Sequence, residues 1–334
     1  MTQSISSSKS NVVTLWEALP SEVLIALSEI DFGASVDSAK PAIAELLNRT
    51  VLEGGKRLRP LLTLLVGHLL NVPLKQIVPL ARAIEQVHAA SLAHDDVVDN
   101  ATTRRGKDSI NQQASNKRAV LAGDYLLADI IVNLTRTGNL ELVREMSEVI
   151  SALSKGEWLQ LDALEKREYS DKILEEIFRC KTASVMSWCC LAPAVFDHRS
   201  RKVIELLRRF GDHLGIAFQM MDDALDFSSS SQKDQMLDIE NNQVNAVTLE
   251  FLNVETALFD EYRRGANLID LVRGVELFGF AELVKEKAQR HMEQAHALLN
   301  ELAVELEIDL EDSSKNQRLL PLKLIMKMII SRQH

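Results

Sequence analysis

The sequence predicts an all-α fold, and three observations carry that expectation. Gly and Pro, which punctuate turns, number 13 and 7 in 334 residues. Aromatic residues, enriched in strands, make up 5%. Apolar residues recur at spacings of three and four, the period of a helix face rather than the alternation of a strand. Helices are accordingly expected at 12–29, 36–53, 57–70, 74–99, 113–137, 140–164, 171–194, 199–227, 243–263, 279–306 and 317–332. Taken in order, Asp31-Phe32-Gly33-Ala34 marks the loop after the first helix and Asn71-Val72-Pro73 ends the third. Thr137-Gly138-Asn139 ends the fifth, and Ser228 to Ser231 interrupt the chain after the eighth. The Ser-rich residues 1–10 are expected to form a disordered lead. With 46% hydrophobic content and no compositional seam, residues 11–334 read as a single domain with a large core.

Charge and cysteine usage narrow the function. Lys and Arg total 38 against 48 Asp and Glu, a net charge of −10. With the arginines dispersed, this argues against a nucleic-acid partner. No run is long and apolar enough for a transmembrane helix, and the serine-rich start lacks the charged head and apolar block of a secretory signal. Cys180, Cys189 and Cys190 make neither a metal-ligand spacing nor a disulfide framework, so a reducing compartment, the cytoplasm, is expected.

The chemistry is carried by a repeated pattern. Asp95-Asp96-Val97-Val98-Asp99 and Asp222-Asp223-Ala224-Leu225-Asp226 lie 127 residues apart, each at the end of a long apolar-periodic stretch. Aspartates at i and i+4 project from one helix face, so each copy can present two carboxylates to one point. Such oxygens suit Mg²⁺, which takes one or two carboxylates and completes its shell with water and substrate phosphate. Two facing clusters suggest a polyphosphate between them.

Further signatures surround the clusters in order: Glu53-Gly54-Gly55-Lys56-Arg57-Leu58-Arg59-Pro60, His88, Arg104-Arg105-Gly106, Gly123-Asp124-Tyr125, Lys181-Thr182-Ala183 and Phe218-Gln219-Met220-Met221-Asp222-Asp223. Together they resemble the trans-prenyl diphosphate synthases, and the form of the first cluster is most similar to the bacterial long-chain members. The resemblance implies a helical bundle of the isoprenoid synthase type with a central active-site cavity. It also implies an activity: an allylic diphosphate is condensed with isopentenyl diphosphate to extend a trans-polyprenyl chain, in a homodimeric enzyme that needs Mg²⁺. By the same resemblance, Asp95 and Asp99 hold two Mg²⁺ and Asp222 a third, with Asp96, Asp223 and Asp226 as weaker partners of the metals. Arg104, Lys181, Gln219 and Lys233 match positions that contact the allylic diphosphate, while Lys56, Arg59, His88 and Arg105 match the isopentenyl diphosphate site. Peripheral membrane contact for release of a long product follows from the same family.

Ala90, five residues before Asp95, stands where short-chain members of the family carry a bulky aromatic plug, and Val87 and Ala83 continue the same helix side. A product longer than geranylgeranyl is therefore expected. Three stretches depart from the family pattern. Gln232 to Ile239 lack two glycines and are about three residues short by comparison with the family loop, Asn242 to Val247 lack a lysine at Gln243, and Ser109 and Ser115 replace Thr and Gly. Two alternatives share part of this pattern: a non-catalytic subunit of a heteromeric synthase, and a class I terpene cyclase, which has no use for the Lys56, Arg59 and His88 set.

Overall fold

The structure is a computed structural model that describes residues 19–34, 41–227, 237–308 and 318–331. Its described elements are helices α1 (Ser21–Ser28), α2 (Pro41–Arg49), α3 (Leu58–Leu69), α4 (Leu74–Val98), α5 (Ile110–Gln113), α6 (Asn116–Thr135), α7 (Leu140–Lys166) and α8 (Asp171–Phe178). A π-helical turn at Arg179–Ala183 leads into α9 (Ser184–Phe196), α10 (Arg201–Leu225), α11 (Leu237–Glu240), α12 (Ala246–Val254), α13 (Thr256–Arg263), α14 (Leu268–Leu271), α15 (Phe278–Glu305) and α16 (Leu320–Ile330). The all-α expectation holds, with one addition: strands β1 (Thr103–Arg104) and β2 (Lys107–Asp108) pair antiparallel.

Helix α9 is the axis of the packing. Its sequence is apolar all round, the mark of a helix with no solvent face, and every residue from Val185 to Val195 is buried. Around it pack α3, α4, α7 and α10. Helix α4 packs on α6, and α10 on α15. A second apolar cluster, built from the end of α7, α8 and residues 239–284, meets this core at Met220, which packs against both. The buried Glu145 accepts two hydrogen bonds of 2.9 Å from Arg208, tying α7 to α10. Local sequence fixes several helix starts. Asn139, Ser170 and Ser200 cap α7, α8 and α10 with side-chain oxygens that accept first-turn N–H groups.

Several expected boundaries move for identifiable reasons. The expected 36–53 helix is described as Pro41–Arg49, residues 35–40 lying outside the described residues. The expected 12–29 helix is described only as Ser21–Ser28, beginning after Pro20, and residues 1–18 lie outside the described residues. Expected helix 171–194 is interrupted by the π turn, and 243–263 starts at Ala246, where Asn245 and Thr248 form a capping box. It breaks again at Glu255, whose ψ of 67° leaves the helical range; nothing local in the sequence marks that break. The hairpin is missed because Arg105 and Gly106, read as part of a phosphate signature, also take φ of 52° and 74°. Two positive φ values in succession make the two-residue turn that suits a hairpin. The serine interruption at 228–231 lies outside the described residues.

Candidate active site

The two aspartate motifs occupy equivalent places. Helices α4 and α10 are each 25 residues long, and each ends one residue before the last Asp of its motif. That last residue, Asp99 or Asp226, is the C-cap, and its N–H donates to the carbonyl of the first Asp, at 2.8 Å for Asp95 and 3.3 Å for Asp222. Asp95 is partly buried and Asp99 exposed, while Asp222 and Asp226 are both partly buried.

The π turn is held tightly between α7 and α10. A Cβ on Gly156 would lie 2.7 Å from Lys181 Cγ, and one on Gly215 would lie 2.4 Å from Ala183 Cα. Glycine at both places lets the turn lie directly on its neighbours. Such an insertion of one extra residue per turn is a recurrent device at functional sites. Here it presents Lys181, whose Nζ contacts Glu157 Oε2 at 2.5 Å and Gln160 Oε1 at 2.9 Å. An ammonium has three donors, so a third remains for a phosphate oxygen. The next residue, Thr182, donates to Gln219 Oε1 at 2.9 Å.

Asp95 sits within the electrostatic reach of this turn. Burial raises its carboxyl to about 6, Lys181 and Arg104 oppose the shift, and Glu157 and Asp99 add to it. A carboxylate strained by desolvation and like charge is one that a cation would relieve. Among the described residues no three His, Cys, Asp or Glu side chains form a closed metal cage. The carboxylate oxygens of the two motifs are hard donors of the kind Mg²⁺ takes, with water and phosphate oxygens completing its shell.

A basic nest adjoins the aspartates along α4, since His88 lies seven residues, about two turns, before Asp95 and so shares its face. His88 is pushed well below its ordinary value by burial and then by Arg59, Arg105, Arg104 and Arg57 in turn. Its imidazole is therefore neutral near pH 7, an N–H donor among cations. Arg59 is lowered by its own burial, feels Glu85 and Asp222 as opposing charges, and keeps its Nε buried without a hydrogen-bond partner. Arg57 donates to Glu85 Oε1 and to the Leu52 carbonyl, each at 2.6 Å, and stacks over Phe32. Arg105 donates to the Glu53 carbonyl at 2.6 Å, with Gly54 and Gly55 against its guanidinium at φ of 75° and 89°. The hairpin thus docks on the 53–57 loop, helped by Lys107 and Glu53 at 2.7 Å.

Most sequence-identified residues converge, with exceptions. Lys56 is exposed, at the edge of the nest. Lys233 lies outside the described residues. Gln219 spans Thr182 and Asp223, so its amide already has one partner at each end. Arg104 gives its Nε to Asp96, leaving its Nη atoms for another acceptor. Ala83, Val87 and Ala90 are all enclosed, Ala90 with 0% exposure. The sequence reading missed Glu85, Glu157 and Gln160 and gave no role to Thr182, which stood in its signature beside Lys181; Glu85 sits three residues before His88, one turn along the same face. Two departures acquire a local explanation. Ser115 caps α6 by accepting from Arg118 N, and Asn245 caps α12.

The polyprenyl synthetase family profile matches residues 40–270. The chain belongs to the polyprenyl synthetase family. It is 34% identical over 275 residues to solanesyl-diphosphate synthase 1, mitochondrial, of Oryza sativa subsp. japonica, covering 73% of this chain and 63% of that protein. A prenyl transferase of Synechocystis is 33% identical over 296 residues, covering 86% of this chain and 90% of that one. Among solved polyprenyl synthetases, a decaprenyl diphosphate synthase from Rhodobacter capsulatus superposes with a TM-score of 0.80 at 27% identity, covering 96% of this chain and 98% of that one. A polyprenyl synthase from Caulobacter crescentus, complexed with calcium and isoprenyl diphosphate, superposes with a TM-score of 0.76 at 26% identity, covering 94% of each chain. The chain spans 63% and 52% of the length of the rice protein and of the Homo sapiens all trans-polyprenyl-diphosphate synthase PDSS1.

Proposed function

We propose that this chain is a Mg²⁺-dependent trans-prenyltransferase that extends an allylic prenyl diphosphate with isopentenyl diphosphate to products longer than geranylgeranyl. The observation that carries the reading is the pairing of two unlike anion sites along one face of α4: the aspartate-rich part with Lys181 and Arg104, and the nest of Arg59, His88 and Arg105 without carboxylate ligands for a metal. A cyclase with one diphosphate has no use for the second. The long-chain relatives named above support the product class.

In this reading Asp95, Asp99 and Asp222 would hold Mg²⁺ at the allylic diphosphate, where it would neutralise the charge that builds on the leaving oxygens. Lys181 and Arg104 hold the same diphosphate without undergoing chemistry, Arg104 as a planar fork and Lys181 as a point charge. Arg59 and Arg105 anchor isopentenyl diphosphate, while His88 donates one neutral N–H to it. The allylic C–O bond breaks with its electron pair leaving on diphosphate. The isopentenyl double bond then attacks the allylic carbon, and a proton passes to the departed diphosphate. Ala83, Val87 and Ala90 form the wall past which the product grows.

We also take the working unit to be a homodimer in a reducing compartment. Val120, Leu121 and Val132 share one exposed face of α6, and Trp158 and Leu161 one of α7, a surface that a second copy would cover. All three cysteines are free and buried, and no described helix is long and apolar enough to cross a membrane. Sedimentation tests the dimer.

The deciding experiment incubates the purified chain with Mg²⁺, isopentenyl diphosphate and, separately, geranyl, farnesyl or geranylgeranyl diphosphate, and resolves the dephosphorylated products by length. A ladder ending at one length longer than geranylgeranyl is expected. Asp95→Asn and Asp222→Asn should each lower turnover by about two orders of magnitude or more, because the lost interaction acts chiefly in the transition state. No elongation of any primer would defeat the reading and favour a partner subunit.

A further inference from the structure

The second aspartate of each motif does something different from its neighbours. Asp96 has 0% exposure and Asp223 8%. Asp96 Oδ1 accepts from Arg104 Nε at 2.6 Å, and Oδ2 accepts from Ile110 N at 3.3 Å. Asp223 Oδ1 accepts from Gln219 Nε2 at 3.0 Å, and Oδ2 accepts from Ala246 N at 2.9 Å. In both copies one oxygen takes a side-chain donor from the diphosphate side and the other takes the first N–H of a later helix, α5 for Asp96 and α12 for Asp223. The repeat of the motif is thus a repeat of its surroundings.

We infer that Asp96 and Asp223 are positioning residues: each fastens the helix end that carries the outer aspartates to the start of a later helix, α5 or α12, while its other oxygen holds Arg104 or Gln219 in place. The helical turn explains the division of labour. The first and fifth residues share a face, while the second is rotated by about 100° from the first, toward the chain that follows. With both oxygens committed and no accessible surface on Asp96, a hydrated ion reaches that carboxylate only by breaking the hydrogen bonds it makes. Each latch also satisfies a first-turn N–H that a helix cannot satisfy itself. The inference rests on the prenyltransferase reading for what is positioned, but the latch itself is a property of the metal-free chain.

Two variants separate a latch from a metal ligand. Asp→Asn keeps the shape of the side chain and removes one acceptor. Ala246→Pro instead removes the donor, leaving Asp223 in place. Proline is tolerated at a first helical position, and Asn245 before it is already extended at φ −104° and ψ −177°. Hydrogen exchange in the absence of Mg²⁺ is the first measurement. Asp96→Asn should speed exchange about tenfold across 101–113 and spare 246–254, and Asp223→Asn should do the reverse, the loss expected of one charge-assisted hydrogen bond. In turnover, Asp223→Asn and Ala246→Pro should each lower kcat about tenfold while shifting half-saturation by Mg²⁺ less than about threefold.

Unchanged exchange in both Asp→Asn variants would overturn the inference. So would a large loss of Mg²⁺ affinity in Asp223→Asn that Ala246→Pro does not share. Should the wild-type chain elongate no primer while the exchange pattern appears as described, the latch stands and the prenyltransferase reading falls.

Discussion

Gly156→Ala is the sharpest test of the site, because it adds one methyl group at a residue that has no side chain of its own to bring to the site. That Cβ would lie 2.7 Å from Lys181 Cγ and 2.8 Å from Cys180 Cβ. Carbon atoms in ordinary contact sit about 3.5–4.0 Å apart, so the π turn must retreat by about 1 Å. A displacement of that size at a group that positions substrate costs about a hundredfold in rate. Stability should change much less. Overpacking costs about 1–3 kcal/mol, and Ala in place of Gly in a helix interior returns about 1 kcal/mol, for a net loss of about 0–2 kcal/mol. The assay is steady-state turnover with Mg²⁺ and both substrates, beside thermal unfolding followed by circular dichroism. Gly279→Ala is the control, since a Cβ there meets nothing within 4 Å. A Gly156→Ala enzyme with kcat/KM within about threefold of wild type would show that the exact seat of Lys181 does not matter, and the reasoning would fail.

The two anion sites should separate kinetically: Arg59→Ala or His88→Ala should raise KM for isopentenyl diphosphate by about 10- to 100-fold, the range of one or two charge-assisted hydrogen bonds, and leave the allylic KM nearly unchanged. Circular dichroism of Arg59→Ala checks that the buried Glu85 still folds with Arg57 alone. In metal-free protein, burial and the neighbouring His291 press His213 down to about 4. The folded state then binds fewer protons than the unfolded state between about pH 4 and 6.5, and stability falls as pH drops through that window. His213→Gln should flatten that fall, measured by denaturant midpoints. Asp95 has the opposite sign, since its raised value makes the folded state take up a proton between about pH 6 and 4, so Asp95→Asn should steepen it. Ala90→Phe, at a fully enclosed position, should cost about 1–3 kcal/mol and shorten the product to farnesyl or geranylgeranyl; an unchanged long product from the folded enzyme would remove Ala90 from the path of the chain.

Periodicity located α3, α4, α7, α10 and α15 to within two residues because each has an apolar stripe that a core must cover, and that demand is written in spacing. What spacing cannot carry is any feature fixed by a contact distant in sequence. The π turn depends on Gly156, more than twenty residues upstream, and the sequence around 179–183 reads as uninterrupted helix. The hairpin depends on Arg105 reaching the Glu53 carbonyl, 52 residues away.

The same limit explains why the site was legible in outline but not in detail. Sequence can show that five residues hold three carboxylates, and helical geometry places the first and fifth together. It does not show where the second points, because the backbone donors to Asp96 and Asp223 come from 14 and 23 residues further on. Those two connections differ in length and in sequence, yet each delivers one backbone N–H to the equivalent oxygen. The chain therefore repeats a geometry whose parts it does not repeat as letters. That is why the Asn242 to Val247 departure is compatible with an intact second cluster: the latch needs only the N–H of Ala246, and Asn245, by capping α12, sets where that N–H lies.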